Sequence, residues 1–367
     1  MEESRISLFP ILEQDFWHAY KDQEASFWTA EEIDLTEDSK HYKNKLKEGE
    51  QRLIARVLGF FNGTDIIVAK NINMNFTDEC EKRGWLEAVI AYQYQTMMEN
   101  IHSEAYSLMI DEIVENAEEK NTLLRGIEEI PSIQAKARWC ERWMGKTDRA
   151  EFMPDFVRAN LEKLKEAGQL DDETNKWLSE EAPTFAERLV AFVCVEQVMF
   201  SSSFAAIFWF KKKGLLPGIC FANELISRDE HQHHKFGAEM VKRLATSEMF
   251  PQTISRDRVL EILLSCVKLE QDFVRDALPV KLAGINEEQI CKYVEFVGDR
   301  VLLDLGMDRH FYAGVNNPTN PCNWMESISL DNKTNFFEKR VSNYQRRGVK
   351  KIENAAELNT FQTDAAF

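Results

Sequence analysis

One long apolar segment contains a single carboxylate, and this combination narrows the range of possible folds. Residues Leu189–Phe210 form the most apolar stretch of the sequence, and Glu196 lies inside it. The stretch has the length of a membrane span, but a lone carboxylate is costly in lipid. Charged residues also flank it closely, at Glu187, Arg188 and Lys211. We therefore predict a helix buried in a protein core, with Glu196 bound to something positive, and no membrane association.

The rest of the sequence is typical of a helical protein. With nine prolines and fifteen glycines among 367 residues, helix breakers are sparse inside long periodic segments. The spacing of apolar residues predicts helices at about 50–76, 84–116, 133–145, 153–167, 183–211, 217–246, 256–278 and 286–306. Alternating strand patterns are scarce. We expect an all-α fold in one large helical domain, with a less regular region after about Gly314.

The net charge and the cysteine content indicate which binding partners and which cellular compartment to expect for this protein. The formal net charge is −17, from 45 basic and 62 acidic residues, so direct binding of nucleic acid is not expected. The seven cysteines are scattered and form no Cys-x-x-Cys pair, which favours a reducing cytoplasm over a disulfide framework or a zinc site. Residues Met1–Arg5 lack the features of a signal peptide, so we expect a cytoplasmic protein.

Two Glu-x-x-His units indicate a metal site. They are formed by Glu99 with His102 and by Glu230 with His233, and each lies on a long predicted helix. Spacing of i, i+3 puts both side chains of a unit on one helix face. A di-metal helical bundle of the ferritin-like type needs two further carboxylates from two other helices. The best candidates are acids surrounded by apolar residues in the sequence, Asp65 and Glu196.

The six candidate ligands suit two divalent ions. Taken singly, Asp65 and Glu196 could equally be hydrogen-bonded core acids; together with the two Glu-x-x-His units they favour metal binding. Four carboxylates balance the charge of two divalent ions, while the histidines bind as neutral imidazoles. Carboxylate and imidazole ligands without thiolates suit iron or manganese. The sequence therefore predicts two divalent ions, either iron or manganese.

A tyrosine lies beside the predicted metal site. Tyr106 follows His102 by four residues, so it should lie one helical turn from the metals. It is either an ordinary core tyrosine or a phenol placed for oxidation by the metal pair. Phe200 and Phe204 follow Glu196 by four and eight residues and could shield such a phenol, although aromatic residues at helical spacing are more often simply core.

Four segments resemble the small subunit of class I ribonucleotide reductases, in its eukaryotic-type branch, which includes viral relatives. They occur in order along nearly the whole chain: Ser26–Leu35 (SFWTAEEIDL), Met98–Ser107 (MENIHSEAYS), Asn223–Glu230 (NELISRDE) and Thr334–Val341 (TNFFEKRV). The resemblance implies an oxidoreductase subunit in which di-iron and oxygen chemistry generates a stable tyrosyl radical. The radical then serves a large subunit that reduces ribonucleotides to deoxyribonucleotides.

The resemblance also implies roles for individual residues. Asp65, Glu99 and His102 would hold one metal, and Glu196, Glu230 and His233 the other. Tyr106 would carry the radical, with Phe200, Phe204 and Ile226 as its apolar pocket. Trp28 and Asp229 would connect His102 to the surface, and Asp229 would also fix the tautomer of that histidine. His234, which points about 100° away from His233 around the helix, is predicted to lie at the surface.

The C-terminal region is implied to mediate partner contacts. Tyr344 would be the exit relay, and Phe361–Phe367 would be a docking tail for the large subunit. We expect a ferritin-like domain over residues 1–345, a flexible tail over 346–367, and a homodimer. Two alternatives stay open: another ferritin-like di-iron oxidase, such as a ferroxidase or a desaturase, and a helical interaction protein that has lost its metals.

Overall fold

The computed structural model describes residues 7–145, 183–248, 250–278, 282, 284–322 and 324–325. Its α-helices are, in sequence order, α1 (Gln14–Glu24), α2 (Thr36–Asn44), α3 (Glu48–Asn71), α4 (Thr77–Lys82), α5 (Leu86–Ile113), α6 (Ala117–Leu124), α7 (Gly126–Glu129), α8 (Pro131–Met144), α9 (Phe185–Cys194), α10 (Ser201–Lys212), α11 (Pro217–Ala245), α12 (Arg256–Ala277) and α13 (Glu287–Asp304). Within these described ranges the only β-type pairing is an isolated bridge between Leu282 and Ile285. The all-α prediction is confirmed.

The long helices pack side by side as a bundle. Helix α3 packs against α5, α9 against α11, and α12 against both α8 and α13, while α5 and α11 also touch. The facing sides of these helices carry Phe, Leu, Ile, Val and Ala side chains that are excluded from solvent. Burial of this apolar surface is the main force that holds the bundle together. Helices α3, α5, α9 and α11 thereby surround one common interior.

The most apolar helix is a core helix. The segment Phe185–Lys212 is long and apolar enough to cross a membrane, but 94% of its most apolar window is buried inside the protein. The prediction of a buried helix around Glu196 is therefore confirmed.

This apolar helix is not regular throughout. Residues Val195–Met199 form a π-helical turn between α9 and α10, and a second π-helical turn, Ile72–Phe76, follows α3. A π-helical turn holds more residues than an α-helical turn and often occurs at functional sites. Since Glu196 lies inside the first one, the α-helical spacing assumed between Glu196 and Phe200 does not apply.

Helix α11 is held at its first turn by a buried carboxylate. Asp38 accepts hydrogen bonds from the backbone N–H groups of Gly218 and Ile219, both at 2.8 Å. A negative charge at a helix N-terminus is favourable because it faces unpaired N–H groups and the positive end of the helix dipole. A β-carbon at Gly218 would come within 2.1 Å of the Asp34 carbonyl oxygen, so this approach requires glycine. The contact fixes the start of the helix that carries Asp229, Glu230 and His233.

The predicted helix boundaries lie within a few residues of those in the described segments. The short helices α1, α2, α4, α6 and α7 were not predicted; they are polar or brief, and apolar periodicity reports them poorly. The helix predicted at 153–167 and the boundary between 345 and 346 lie outside the described residues, so both stay predictions.

Candidate metal centre

The six predicted ligands come from four segments that meet in the interior. Asp65 lies on α3, Glu99 and His102 on α5, Glu196 on the π-helical turn, and Glu230 and His233 on α11. Each of the six residues is at most 2% exposed. Their ligand atoms form two overlapping groups, in each of which all atoms lie within 4.8 Å of one another.

The two groups share two carboxylates. The first group contains Asp65, Glu99, His102 and Glu230, and the second contains Glu99, Glu196, Glu230 and His233. Glu230 Oε1 lies 3.1 Å from His102 Nδ1, and Glu230 Oε2 lies 3.1 Å from His233 Nδ1. Glu99 likewise turns one oxygen to each histidine, at 3.5 Å from His102 Nδ1 and 3.0 Å from His233 Nδ1. Glu99 and Glu230 therefore belong to the ligand groups of both histidines.

The donor set fits a pair of cations. Among the described side chains, both carboxylate oxygens of Asp65 and of Glu196 are buried without a hydrogen-bond partner. Burial and the negative charge of Glu99 raise the pKa of Asp65 well above its ordinary value. Burial opposes a charged imidazole at His233, yet Glu230 and Glu99 raise its pKa to about 9. Unpaired buried carboxylates are costly, and two divalent ions would supply positive charge to this cluster.

A hydrogen-bonded relay connects His102 to a buried tryptophan. Asp229 Oδ2 accepts a hydrogen bond from Trp28 Nε1 at 2.7 Å and lies 3.1 Å from His102 Nε2. The Trp28 and His102 rings are stacked, with centroids 5.7 Å apart and planes at 17°. Because Asp229 faces Nε2, the Nδ1 atom of His102 is left to face the carboxylates, as a metal ligand requires.

Arg228 also belongs to this relay and was not predicted. Its guanidinium donates to Asp229 Oδ1 through Nε at 3.1 Å and Nη2 at 2.9 Å, and Nη2 also donates to the Ser26 carbonyl oxygen at 2.6 Å. These bonds link the backbone just before Trp28 to α11 and hold Asp229 in one orientation. Its position next to Asp229 in the sequence was the available signal.

Tyr106 lies one helical turn beyond His102, buried in the interior. Its ring is stacked on Phe61, with centroids 4.6 Å apart and planes at 18°. Phe200 and Phe204 pack on Phe61, at 5.7 and 5.3 Å, so they form a further layer behind it. Burial and the nearby charge of Asp65 raise the pKa of Tyr106 well above its ordinary value, so the phenol is neutral.

Sequence reasoning missed Phe61, although a signal was present. Phe61 precedes Asp65 by four residues on α3 and therefore lies on the same helix face. The same spacing rule that placed Tyr106 next to His102 would have placed Phe61 next to Asp65.

The prediction that His234 lies at the surface is wrong. His234 is fully buried, with Nε2 at 2.8 Å from Asp304 Oδ2 and Nδ1 at 3.4 Å from the Val193 carbonyl oxygen. The reason is that α11 packs against α9 and also against α5, α10 and α1. A side chain 100° away from the metal-facing side therefore still points into protein.

Of the remaining residues singled out in the sequence, some lie in the described part of the structure and some do not. Ile226 is fully buried on α11, and its assignment to the pocket of Tyr106 stays a prediction. All seven cysteines are buried and free. Tyr344 and the segment Phe361–Phe367 lie outside the described residues.

Comparison with known proteins gives one consistent result. Residues 5–321 match the family model described as ribonucleotide reductase, small chain. The sequence is 43% identical over 363 residues to ribonucleoside-diphosphate reductase subunit M2 of Rattus norvegicus, covering 99% of this protein and 80% of that one. It is 41% identical over 363 residues to the ribonucleoside-diphosphate reductase small chain of Trypanosoma brucei brucei, covering 99% and 93% of the two proteins.

A solved structure agrees with these relatives. The Rnr4 homodimer of ribonucleotide reductase from Saccharomyces cerevisiae is similar with a TM-score of 0.68 and 28% identity, over 94% of this chain and 92% of that one. The fold is thus the predicted ferritin-like helical bundle. Together these similarities favour the reductase interpretation over a ferroxidase or a desaturase.

Proposed function

The chain belongs to the ribonucleotide reductase small-chain family, and on that premise we propose that it forms a tyrosyl radical at Tyr106 and supplies it to a large catalytic subunit. One observation carries the assignment of Tyr106. Its neutral phenol is buried one helical turn from a ligand of a two-metal carboxylate cluster and is stacked on Phe61. A phenoxyl radical persists only where solvent and reductants are excluded, and this position meets that requirement.

The six ligands divide between two ions in this proposal. Asp65 and His102 would hold one ion and Glu196 and His233 the other, while Glu99 and Glu230 belong to both groups of ligand atoms. When bound, the metal pair supplies the oxygen-activating redox chemistry that the oxidation of Tyr106 requires. We propose iron for both positions, because the donor set of carboxylates and imidazoles suits iron; manganese suits the same donors and is the alternative.

Oxidation of Tyr106 to a neutral radical removes one electron and the phenolic proton. The electron would be taken up by the oxidising centre that the six ligands hold when metal is bound. The proton would leave on the side of the carboxylate cluster, since the negative charges of Asp65, Glu230 and Glu99 act on the Tyr106 phenol from that side. The surrounding phenylalanine rings offer no acceptor for the proton, so it cannot leave towards them.

The relay of His102, Asp229 and Trp28 is the proposed route by which the electron hole leaves the site. Trp28, Asp229 and His102 form an unbroken series of hydrogen bonds and stacked rings. Trp28 accepts and passes on the electron hole, while Asp229 keeps the His102 and Trp28 N–H groups in fixed orientations. Tyr344 is the proposed next step towards the large subunit.

Partner contacts complete the proposal. Residues Phe361–Phe367 dock on the large subunit, and two copies of this protein form a homodimer, as in the relative from Saccharomyces cerevisiae. Helices α3 and α5 expose large apolar residues, among them Ile66, Met97 and Leu108, which suits an interface between copies. The seven free cysteines suit a reducing cytoplasm.

Electron paramagnetic resonance tests the radical assignment. Metal-free protein should give no tyrosyl signal, and adding ferrous iron and oxygen should produce one. The same treatment of Tyr106→Phe, checked for equal iron content, should give no such signal. An undiminished tyrosyl signal in Tyr106→Phe would remove the radical from this residue.

A further inference from the structure

A buried ion pair lies beside the π-helical turn that carries Glu196. Lys136 on α8 and Glu270 on α12 form a salt bridge in which both side chains are 0% exposed. The pair contains none of the six ligands, and the radical chemistry proposed above does not use it. Its position beside the segment that carries Glu196 therefore calls for an explanation of its own.

Each member of the pair also binds the backbone of the apolar helix. Lys136 Nζ donates to the carbonyl oxygen of Met199, the last residue of the π-helical turn, at 3.1 Å. Glu270 Oε1 accepts from the N–H of Ser202, in the first turn of α10, at 3.1 Å. The pair thus holds the two sides of the junction at which the π-helical turn gives way to a regular α-helix.

The surroundings keep Lys136 in one position. Its ammonium group lies 3.5 Å from the centroid of the Phe60 ring and 3.9 Å from that of Phe273. These contacts attract a cation, and the salt bridge supplies the opposite charge. The carboxylate of Glu270 is held in turn by Lys136 and by the Ser202 N–H, so the orientation of both groups is determined.

Fold stability alone does not explain why such a pair is present. Replacing a buried ion pair by apolar residues of similar volume is often neutral or even stabilising, because the pair has to be taken out of water. A specific geometric task is the usual alternative. The nearby feature that requires a fixed geometry is the π-helical turn. Its backbone must place the Glu196 carboxylate beside the other members of the second ligand group, Glu99, Glu230 and His233.

We propose that Lys136 and Glu270 are positioning residues for Glu196: by fixing the backbone at Met199 and Ser202, they set where the Glu196 carboxylate stands in the metal centre. This inference rests on the proposed metal centre. It adds that the affinity of the Glu196 side of that centre depends on two residues that touch no metal. Partners that bond directly to metal ligands typically change metal affinity by about 10- to 100-fold, and we expect the lower end of that range for residues that act through the backbone.

Manganese titration of metal-free protein tests the inference. Free Mn²⁺ is followed by its paramagnetic resonance signal, and the wild-type protein should bind two ions. The double variant Lys136→Met/Glu270→Leu should keep its helical circular dichroism and bind Mn²⁺ about ten-fold or more weakly. The control Lys213→Met/Glu50→Leu removes a salt bridge just after the C-terminal end of α10 and should leave both affinities unchanged.

A double-mutant cycle that combines Glu196→Ala with removal of the ion pair separates a positioning role from a general effect on the fold. Once Glu196 is absent, removing the ion pair should change Mn²⁺ affinity no further. An equal loss in the Glu196→Ala background would overturn the proposal, and so would unchanged affinity in the folded double variant. If wild-type protein failed to bind two ions, the proposed metal centre itself would be contradicted, which is a different result.

A single variant covers the case in which the double variant does not fold. Lys136→Met leaves Glu270 able to take up a proton and stay neutral, which avoids a buried charge. It keeps the bond to Ser202 and loses the bond to Met199. Its Mn²⁺ affinity should fall in the same direction, by about three-fold or more, and an affinity equal to that of the wild type would refute the positioning role.

Discussion

The stacking of Phe61 on Tyr106 leads to a quantitative prediction for Phe61→Leu. Leucine keeps most of the apolar volume, so the loss of fold stability should stay below the about 3–5 kcal/mol typical of Phe→Ala. The ring pair itself, with centroids 4.6 Å apart, contributes about 0.5–1.5 kcal/mol. Since about 1.4 kcal/mol corresponds to a factor of ten, opening of the pocket around Tyr106 should become roughly two to ten times more frequent.

The assay is the decay of the tyrosyl resonance signal after activation with ferrous iron and oxygen. The radical of Phe61→Leu should decay roughly two to ten times faster than that of the wild type, with equal iron content. Phe76→Leu is the matched control, because Phe76 is fully buried and packs its ring on another tyrosine, Tyr92, at 5.6 Å. If Phe61→Leu kept the wild-type radical lifetime, the idea that this ring shields Tyr106 would be wrong.

Three further variants probe the ligands, a buried acid and the docking tail. Glu196→Ala should lower the metal content from two ions per protomer towards one, and two ions by elemental analysis would exclude Glu196 as a ligand. Burial acts to raise the pKa of Glu79, but Arg83 and Arg188 outweigh it and hold the pKa below its ordinary value of 4.5. The ionised Glu79 therefore stabilises the fold above that pH, and this stabilisation is lost as pH falls through the folded-state pKa. Glu79→Gln should therefore lower Tm at pH 7, and the Tm difference from the wild type should shrink below about pH 4. A Tm difference that does not change with pH would contradict this. Deleting residues 361–367 should leave the radical intact and abolish binding to the large subunit, which sedimentation of the mixed subunits would detect.

Local helix geometry explains why the meeting of the six candidate ligands could be predicted. The i, i+3 spacing in each Glu-x-x-His unit fixes two ligands on one face without knowledge of the fold. Asp65 and Glu196 stood out because a carboxylate in an apolar helix needs a partner. The bundle template adds one carboxylate from each of two further helices. The two Glu-x-x-His helices and the helices of Asp65 and Glu196 were therefore expected to meet in one interior.

The features that were missed depend on tertiary packing. His234 was expected at the surface because one helix face was assigned to the core, whereas α11 is covered on more than one side. The π-helical turn at Val195–Met199 leaves no signature in composition or periodicity. The bonds of Lys136 to Met199 and of Glu270 to Ser202 join residues more than sixty positions apart, and nothing in the sequence pairs them.

Nucleotide reduction by Tyr106→Phe tests the proposed radical function most directly. The variant and the wild-type protein would each be activated with ferrous iron and oxygen, checked for equal metal content, and assayed with the large subunit for conversion of ribonucleoside diphosphates. We predict that Tyr106→Phe binds its two metal ions, gives no tyrosyl signal and supports no turnover. Full nucleotide reduction by Tyr106→Phe would contradict a radical at this residue.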